Sequence, residues 1–401
     1  LKTNLYLSDD VRKQNRLRVL SQFRKVGQVS RTELGKQTEL SPGTVTNVTT
    51  GLLSENVIQA ADNDVNSTQS HGRPRVQLGL NPNYGCVIAG SLNFNGLKLD
   101  VIDYSGRKIV RIDEPIKFGK SDAKNLGKKI YSLVEGLALA RKPDIYVIGV
   151  QGLTSNDGQD ILWSPILDDA GNGFASILSE LSNAKVIVAN DCAMIAQSLS
   201  KTSNEEHPSF AAVLMSYGIG IGLYIDGQPF HGIKSSASEL GHISYRREDG
   251  ALCRCGKHGC VEAYASDYAI WRMANEKGSS FLPEFEIKAS DISDIVAKAR
   301  LDDGPERRAI KQAGRALGYG LATMFSFFDP FPVTFVGRGA QALDLMEDDI
   351  RHSLSENFRF QKDINVPFSQ DLDAQQHIEN GCAIVALELM DQSAAFEVIK
   401  V

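Results

Sequence analysis

Cys86-Val87-Ile88-Ala89, then Leu97-Lys98-Leu99-Asp100-Val101-Ile102, then Lys108-Ile109-Val110 after a turn at Tyr104-Ser105-Gly106: this stretch decides the fold. Strand side chains alternate between two faces, so alternating runs joined by short turns read as a β-meander. Outward from it come a helix over 121–139, a buried strand over 145–150 and a helix over 174–181. A strand over 185–189 follows, ending at Asn190-Asp191, and then a helix from Ala193. The pattern then restarts: a strand over 211–216, the glycine run Gly218-Ile219-Gly220-Ile221-Gly222, a strand over 223–226 and a turn at Gly227. A meander followed by alternating helices and strands, seen twice, implies two related α/β lobes with a cleft between them.

Composition sets the bounds. The chain has 401 residues, 42% hydrophobic and 23% charged, which is ordinary globular usage and argues against global disorder. Its length allows two or three domains. It contains no run of ~18 apolar residues, so no membrane insertion is expected. The opening Leu1-Lys2-Thr3-Asn4 lacks the apolar stretch of a signal peptide. Six cysteines are too few for a disulfide scaffold, and three crowd into 253–260, which reads as a metal site in a reducing cytoplasm. Charge is uneven: residues 1–80 carry a net +4 and the other 321 a net −10. A basic head on an acidic body points to a nucleic-acid-binding module joined to something else.

The head reads as a helix-turn-helix. Val11, Leu17, Leu20 and Phe23 share roughly one helical face over 9–26, with Arg12, Lys13, Arg16, Arg18, Arg24 and Lys25 on the rest. Ser30 caps a second helix with Glu33 as its capping-box partner. Ser41 caps a third, with Pro42 at its first position. Gly35 sits where the two helices touch, and Val45 fills the core ten residues later. Ser41, Thr44, Thr46 and Asn47, with Thr50, form a polar set suited to a major groove, where Asn can pair with adenine. The turn position that often holds Gly is Glu39, which costs ~1–2 kcal/mol if left-handed. Strands over 57–60 and 76–80 would pair as a wing. The loop between them ends His71-Gly72-Arg73-Pro74-Arg75, where Arg73, held extended by Pro74, suits a narrow A/T minor groove or simply turns a linker.

Three clusters carry the chemistry of the body: Asn190-Asp191 at a strand's C-terminal end, Glu239-Leu240-Gly241-His242, and Cys253-Arg254-Cys255-Gly256-Lys257-His258-Gly259-Cys260-Val261-Glu262. Three thiolates and one imidazole satisfy tetrahedral zinc, and the glycines let the backbone fold around the ion. His242 and His258 compete for the fourth position. Four protein ligands leave no open site, so the metal's role would be structural.

These clusters, in this order, resemble the ROK family of sugar kinases and sugar-responsive repressors over nearly the whole chain. With Ser30-Arg31-Thr32-Glu33-Leu34, the run from Leu40-Ser41 to Val45, and Gly72-Arg73-Pro74, they look most like its NagC/XylR-type repressor branch. The resemblance implies an actin/hexokinase-like duplicated two-lobe domain with an N-terminal winged helix-turn-helix. It implies that Asn190, Asp191, Glu239, His242 and Glu262 contact sugar hydroxyls. It also implies His242 as fourth ligand to the zinc beside Cys253, Cys255 and Cys260. Carboxylates accepting two or more hydroxyls, with an Asn offering both polarities, give such carry-over a physical basis.

Family kinases hold ATP phosphates on an Asp-x-Gly-x-Thr turn, and those positions fall here on Ser91, Asn93 and Asn95. The second phosphate loop reads Gly218-Ile219-Gly220 without a hydroxyl, and Arg338 intrudes on the glycines near the adenosine, Gly337-Arg338-Gly339. Without the Asp, Mg²⁺ and phosphates lose their anchor, so Asp191, the family's general base, is vestigial. The expectation is therefore a sensor and no enzyme, with an active or bifunctional sugar kinase as the alternative. Its divisions are a head over 1–80, a first lobe over 81–200 and a second lobe over 201–401, whose C-terminal helix is free to return to the first lobe. Its expected partners are A/T-rich, pseudo-palindromic operator DNA, a sugar or sugar-phosphate effector, a second copy or a tetramer, and in some relatives a transport-system protein.

Overall fold

Ser30 and Glu33 cap each other as their spacing predicts. In this computed structural model, which describes residues 8–61, 76–94, 96–115, 123–167, 173–201, 208–232, 238–358 and 365–396, the Ser30 hydroxyl accepts from the Glu33 N–H at 3.4 Å. The Glu33 carboxylate accepts from the Ser30 N–H at 3.0 Å. The chain reaches that point through α1 (Ser8–Val26) and β1 (Val29–Ser30), and the box starts α2 (Arg31–Thr38). Glu39 closes α2 in the left-handed region at φ 55°, so the turn does carry the strain of a side chain there. Ser41 then caps α3 (Pro42–Ser54) by accepting from the Thr44 N–H at 3.2 Å. A Cβ on Gly35 would stand 3.8 Å from Val45, which confirms the close helix contact. The wing is β2 (Ile58–Ala60) and β3 (Gln77–Leu80), antiparallel, with β1 on the other edge of β3. Arg73 lies outside the described residues.

The predicted face of α1 needs correction. Val11 is 46% exposed, whereas Arg16 is buried among Val19, Leu20 and Phe23. Arg16 donates to Glu55 at 2.9 Å and to the Ala394 carbonyl at 2.7 Å. A guanidinium can be buried when its charge is paired, and apolar periodicity does not register that case.

The first lobe holds β4 (Cys86–Asn93), β5 (Gly96–Asp103), β6 (Lys108–Glu114), α4 (Ala123–Glu135), β7 (Ile145–Val150), the small hairpin β8 (Leu153–Thr154) and β9 (Ile161–Trp163), α5 (Phe174–Ser182), β10 (Lys185–Asn190) and α6 (Asp191–Leu199). Helix α4 ends four residues short of its expected length, since Gly136 follows and Ala138 turns left-handed at φ 47°. The second lobe holds β11 (Phe210–Met215), β12 (Ile219–Ile225), β13 (Gln228–Phe230), α7 (Glu262–Ala265), α8 (Asp267–Ala274), α9 (Ala289–Leu301), α10 (Pro305–Phe325), β14 (Val333–Val336), α11 (Leu343–Asn357), β15 (Phe368–Asp371) and α12 (Ala374–Phe396).

The two main sheets have one topology. Their orders are β10-β7-β4-β5-β6 and β15-β14-β11-β12-β13, each a three-stranded antiparallel meander extended by two parallel strands. The duplication expected from the two meanders is therefore present. The strand expected over 223–226 is longer, however: β12 starts at Ile219 and takes in Gly220 and Gly222 of the glycine run. Helix α6 packs so closely there that a Cβ on Gly222 would stand 2.0 Å from the Cys192 carbonyl. Helix α12 leaves the second sheet and packs against α6, β4, β7 and α1. Among the described residues, no helix is long and apolar enough to cross a membrane.

Candidate functional site

Asn190 ends β10 and caps α6, accepting from the Ala193 N–H at 3.0 Å and donating to the Gly152 carbonyl at 2.8 Å. Both bonds fix its amide at the C-terminal edge of the sheet, where open α/β sheets place ligands. Asp191 is the first residue of α6 and is buried, with its carboxylate accepting from the Cys192 N–H at 2.9 Å. Burial raises its pKa to about 6, against the pull of that N–H bond.

From the second lobe, Glu239 precedes and His242 ends a 3-10 turn over Leu240–His242. Glu262 opens α7 and accepts from the Ile219 N–H at 3.2 Å, which ties α7 to β12. Burial raises the pKa of Glu262, while His242 opposes the shift. Partial withdrawal from water also raises that of half-exposed Glu239, with His242 lowering it and Glu262 adding to it. All five expected sugar contacts line one cavity of about 160 Å³ between the lobes.

Four more ligand atoms meet behind that wall. One from each of His242, Cys253, Cys255 and Cys260 lies within 4.8 Å of the others. His242 Nδ1 is 3.9 Å from Cys253 Sγ, and the sulfurs of Cys255 and Cys260 are 3.8 Å apart. Ligands ~2.0–2.3 Å from a tetrahedral ion stand about 3.3–3.8 Å apart, so the set fits a metal nearly as it is. The competition for the fourth position is resolved by geometry: His258 Nδ1 lies 2.9 Å from the Gly250 carbonyl, outside the group. Gly259 makes the knuckle possible, at φ +80° and with its missing Cβ only 1.5 Å from the Arg246 carbonyl. His242 also puts Nε2 3.7 Å from Glu239, so the metal group and the cleft share a wall.

The expected phosphate positions are otherwise engaged. The Ser91 hydroxyl and the Asn93 amide both bond Gln375 of α12, the latter at 3.0 Å. Arg338 pairs with buried Asp267 at 2.5 Å. Asn95 lies outside the described residues. Cleft residues that the sequence reading did not assign to the sugar site include Trp163, Gln375, Tyr217 and Arg254. Arg254, between two of the knuckle cysteines, was the one with a signal in the sequence.

On α3, Thr46 and Asn47 are exposed, Ser41 is exposed at the cap, and Thr44 is half-buried. The Thr46 hydroxyl donates to the Pro42 carbonyl at 2.8 Å, and the Ser41 and Thr44 hydroxyls are 2.9 Å apart.

A model of the ROK family matches residues 117–392. A putative xylose repressor of Caldicellulosiruptor sp. is 24% identical over 352 residues, covering 84% of this chain and 86% of the relative. The transcriptional dual regulator NagC of Escherichia coli is 23% identical over 356 residues, covering 83% and 82%. Among solved structures, a ROK family transcriptional regulator described as a homolog of the E. coli MLC protein superposes with a TM-score of 0.77. It is 23% identical and covers 97% of this chain and 100% of its own. A ROK family glucokinase from Streptomyces griseus, in complex with glucose and AMPPNP, gives 0.59 at 21% identity, over 75% and 99%. The kinase likeness extends to the fold of the body, and the regulator likeness takes in the head as well.

Proposed function

This chain belongs to the ROK family, and from that premise we propose that it is a sugar-responsive DNA-binding transcriptional regulator of the repressor type. The head over 1–80 binds operator DNA through Ser41, Thr44, Thr46 and Asn47, with Arg73 entering the minor groove. The lobes over 81–200 and 201–401 hold a sugar between Asn190, Asp191, Glu239, His242 and Glu262. The relatives named as xylose and N-acetylglucosamine repressors support both halves of this reading.

One observation carries it. Helix α12 has its first turn in the cleft, where Ala374, Gln375 and Ile378 line the cavity. Its last turns hold the head, through Asp391 to Arg24 and the Ala394 carbonyl to Arg16. At 1.5 Å per residue, its 23 residues span ~34 Å. A sugar that draws the lobes together acts on one end of this helix, and the recognition helix responds through the other. It does so only by the difference in its affinity for the two states.

The knuckle of His242, Cys253, Cys255 and Cys260 holds a structural Zn²⁺, which fixes the wall that carries Glu239 and Glu262. The cleft performs no phosphoryl transfer, because Ser91, Asn93 and Ile219 offer no anchor for Mg²⁺ or phosphates. The regulator works in the cytoplasm and reads two half-sites as at least a dimer. Operator affinity measured with and without sugar tests the reading, on a DNA site selected from random sequence by the full chain.

A further inference from the structure

A second cavity, of about 220 Å³, adjoins the first. Leu153, Asn190, Cys192, Gly220 and Glu239 line both, so no more than one layer of side chains stands between the two spaces. Asp191, His242 and Glu262 line the first cavity only, whereas Asn190 and Glu239 belong to both. Like the first, the second cavity is built from both lobes. Strand β10 and helix α6 supply Ile187, Ala189 and Met194, and the second lobe supplies Gly222, Phe230 and Ser238. One wall is fixed in advance. The Val188 N–H donates to the Gly158 carbonyl at 2.8 Å, which ties the turn over 155–158 to β10, and within that turn the Ser155 hydroxyl donates to Asp157 at 2.6 Å.

Ser238 is the polar group of this cavity that the fold leaves unanswered. Its Oγ is buried and has no hydrogen-bond partner among the described residues. A buried hydroxyl without a partner disfavours the empty protein, and a ligand hydroxyl removes that cost. The Ser238 backbone is also left-handed, at φ 79°, a conformation unfavourable to a residue with a side chain and kept only where the surroundings impose it. Exposed Asp157 and His231 add polar edges, while Ile187, Ala189, Met194 and Phe230 are apolar. A few hydroxyl partners set among apolar walls match the rim and the C–H faces of a pyranose ring. Neither cavity alone reaches the ~300–1,000 Å³ of ordinary ligand pockets, and the two side by side do.

We propose that the second cavity is a subsite for a second sugar ring, so that the effector is a disaccharide lying across Asn190 and Glu239. One ring sits among Asp191, His242 and Glu262, and the other takes the Ser238 hydroxyl as its partner. The inference rests on the sugar-sensor reading and narrows it to a class of ligand. Asn190 suits the junction: after its bonds to the Gly152 carbonyl and the Ala193 N–H, its amide keeps one N–H and one oxygen lone pair for ligand hydroxyls.

The test is calorimetric titration of the full chain with matched sets: xylose and xylobiose, glucose with cellobiose and maltose, N-acetylglucosamine and its β-1,4-linked dimer, and the phenyl glycoside of each monosaccharide. A disaccharide should bind more tightly than its own monosaccharide by about tenfold or more. Ser238→Ala should weaken that disaccharide by about threefold to tenfold, the loss of one hydrogen bond, and leave the monosaccharide unchanged. Ala193→Leu, which adds bulk on the α6 side of the second cavity alone, should also weaken the disaccharide selectively. Monosaccharides that match or exceed every disaccharide, a phenyl glycoside that exceeds the disaccharide, or a ratio unmoved in both variants overturns the inference and leaves the sensor reading standing. Failure of every sugar to bind overturns both together.

Discussion

Arg24 on α1 and Asp391 on α12 form a two-pronged ion pair, Nε to Oδ2 at 3.0 Å and Nη2 to Oδ1 at 2.9 Å. The Tyr104 hydroxyl donates to the same carboxylate at 2.7 Å, and its ring lies 4.5 Å beneath the guanidinium. Head, last helix and first lobe therefore meet at one largely buried carboxylate. Removing one partner of such a pair costs on the order of 3 kcal/mol, because the other charge stays behind. Arg24→Ala should leave the head folded on its own apolar core but loosen it from α12. Coupling between sites is typically 5–150-fold in affinity, and in this variant the sugar's effect on operator binding should fall to about threefold or less. Titration of operator with and without sugar checks this. A full response in Arg24→Ala would remove α12 from the account.

Asp191 gives a pH signature. Its folded pKa of about 6 lies above that of an exposed carboxylate, so ionising it opposes folding. The penalty is absent below pH ~4, grows as pH rises through about 6 and is complete above it, at roughly 2–3 kcal/mol. Asp191→Asn should therefore be more stable than the native chain in urea unfolding at pH 8, with no such gain at pH 4. Equal stability of the two at pH 8 would show that Asp191 is ionised at no cost in the empty cleft.

The knuckle should carry one zinc per chain. Cys255→Ser should lose the metal and several kcal/mol of stability, since structural zinc contributes directly to folding. His258→Ala should keep its zinc, because His258 bonds the Gly250 carbonyl instead. Elemental analysis of protein purified without chelators reads both, and a metal-free native chain would contradict the assignment.

Base recognition should rest on α3. Asn47→Ala should relax sequence preference at a cost of ~1–3 kcal/mol on the selected site, with non-specific binding barely changed. Equal loss on specific and random DNA would make Asn47 a backbone contact.

Much of this was legible in the sequence because it is local. A capping box spans four residues, the three cysteines of the knuckle eight, and Asn190-Asp191 marks the end of a continuous apolar strand. What stayed hidden joins distant positions. Arg24 finds Asp391 across 367 residues, and as sequence both are ordinary charged residues on helices, so Arg16 and Arg24 read as part of a basic face. Phe94, Tyr217 and Arg254 form a stack only after the lobes face each other. The glycines of β12 were left out of the strand expected over 223–226 because glycine weakens strands, while the close approach of Cys192 that requires them is tertiary.

The central claim is that the cleft's ligand state reaches the DNA-binding head. The direct measurement is operator affinity with and without a sugar that binds the cleft, for the native chain and for Glu239→Ala. Sugar should weaken operator binding by the native chain. Glu239→Ala should bind operator about normally and ignore the sugar, since it loses charge-assisted bonds of ~1.5–3 kcal/mol each to ligand hydroxyls. Operator affinity that stays constant in the native chain while the cleft is saturated with sugar would contradict the account.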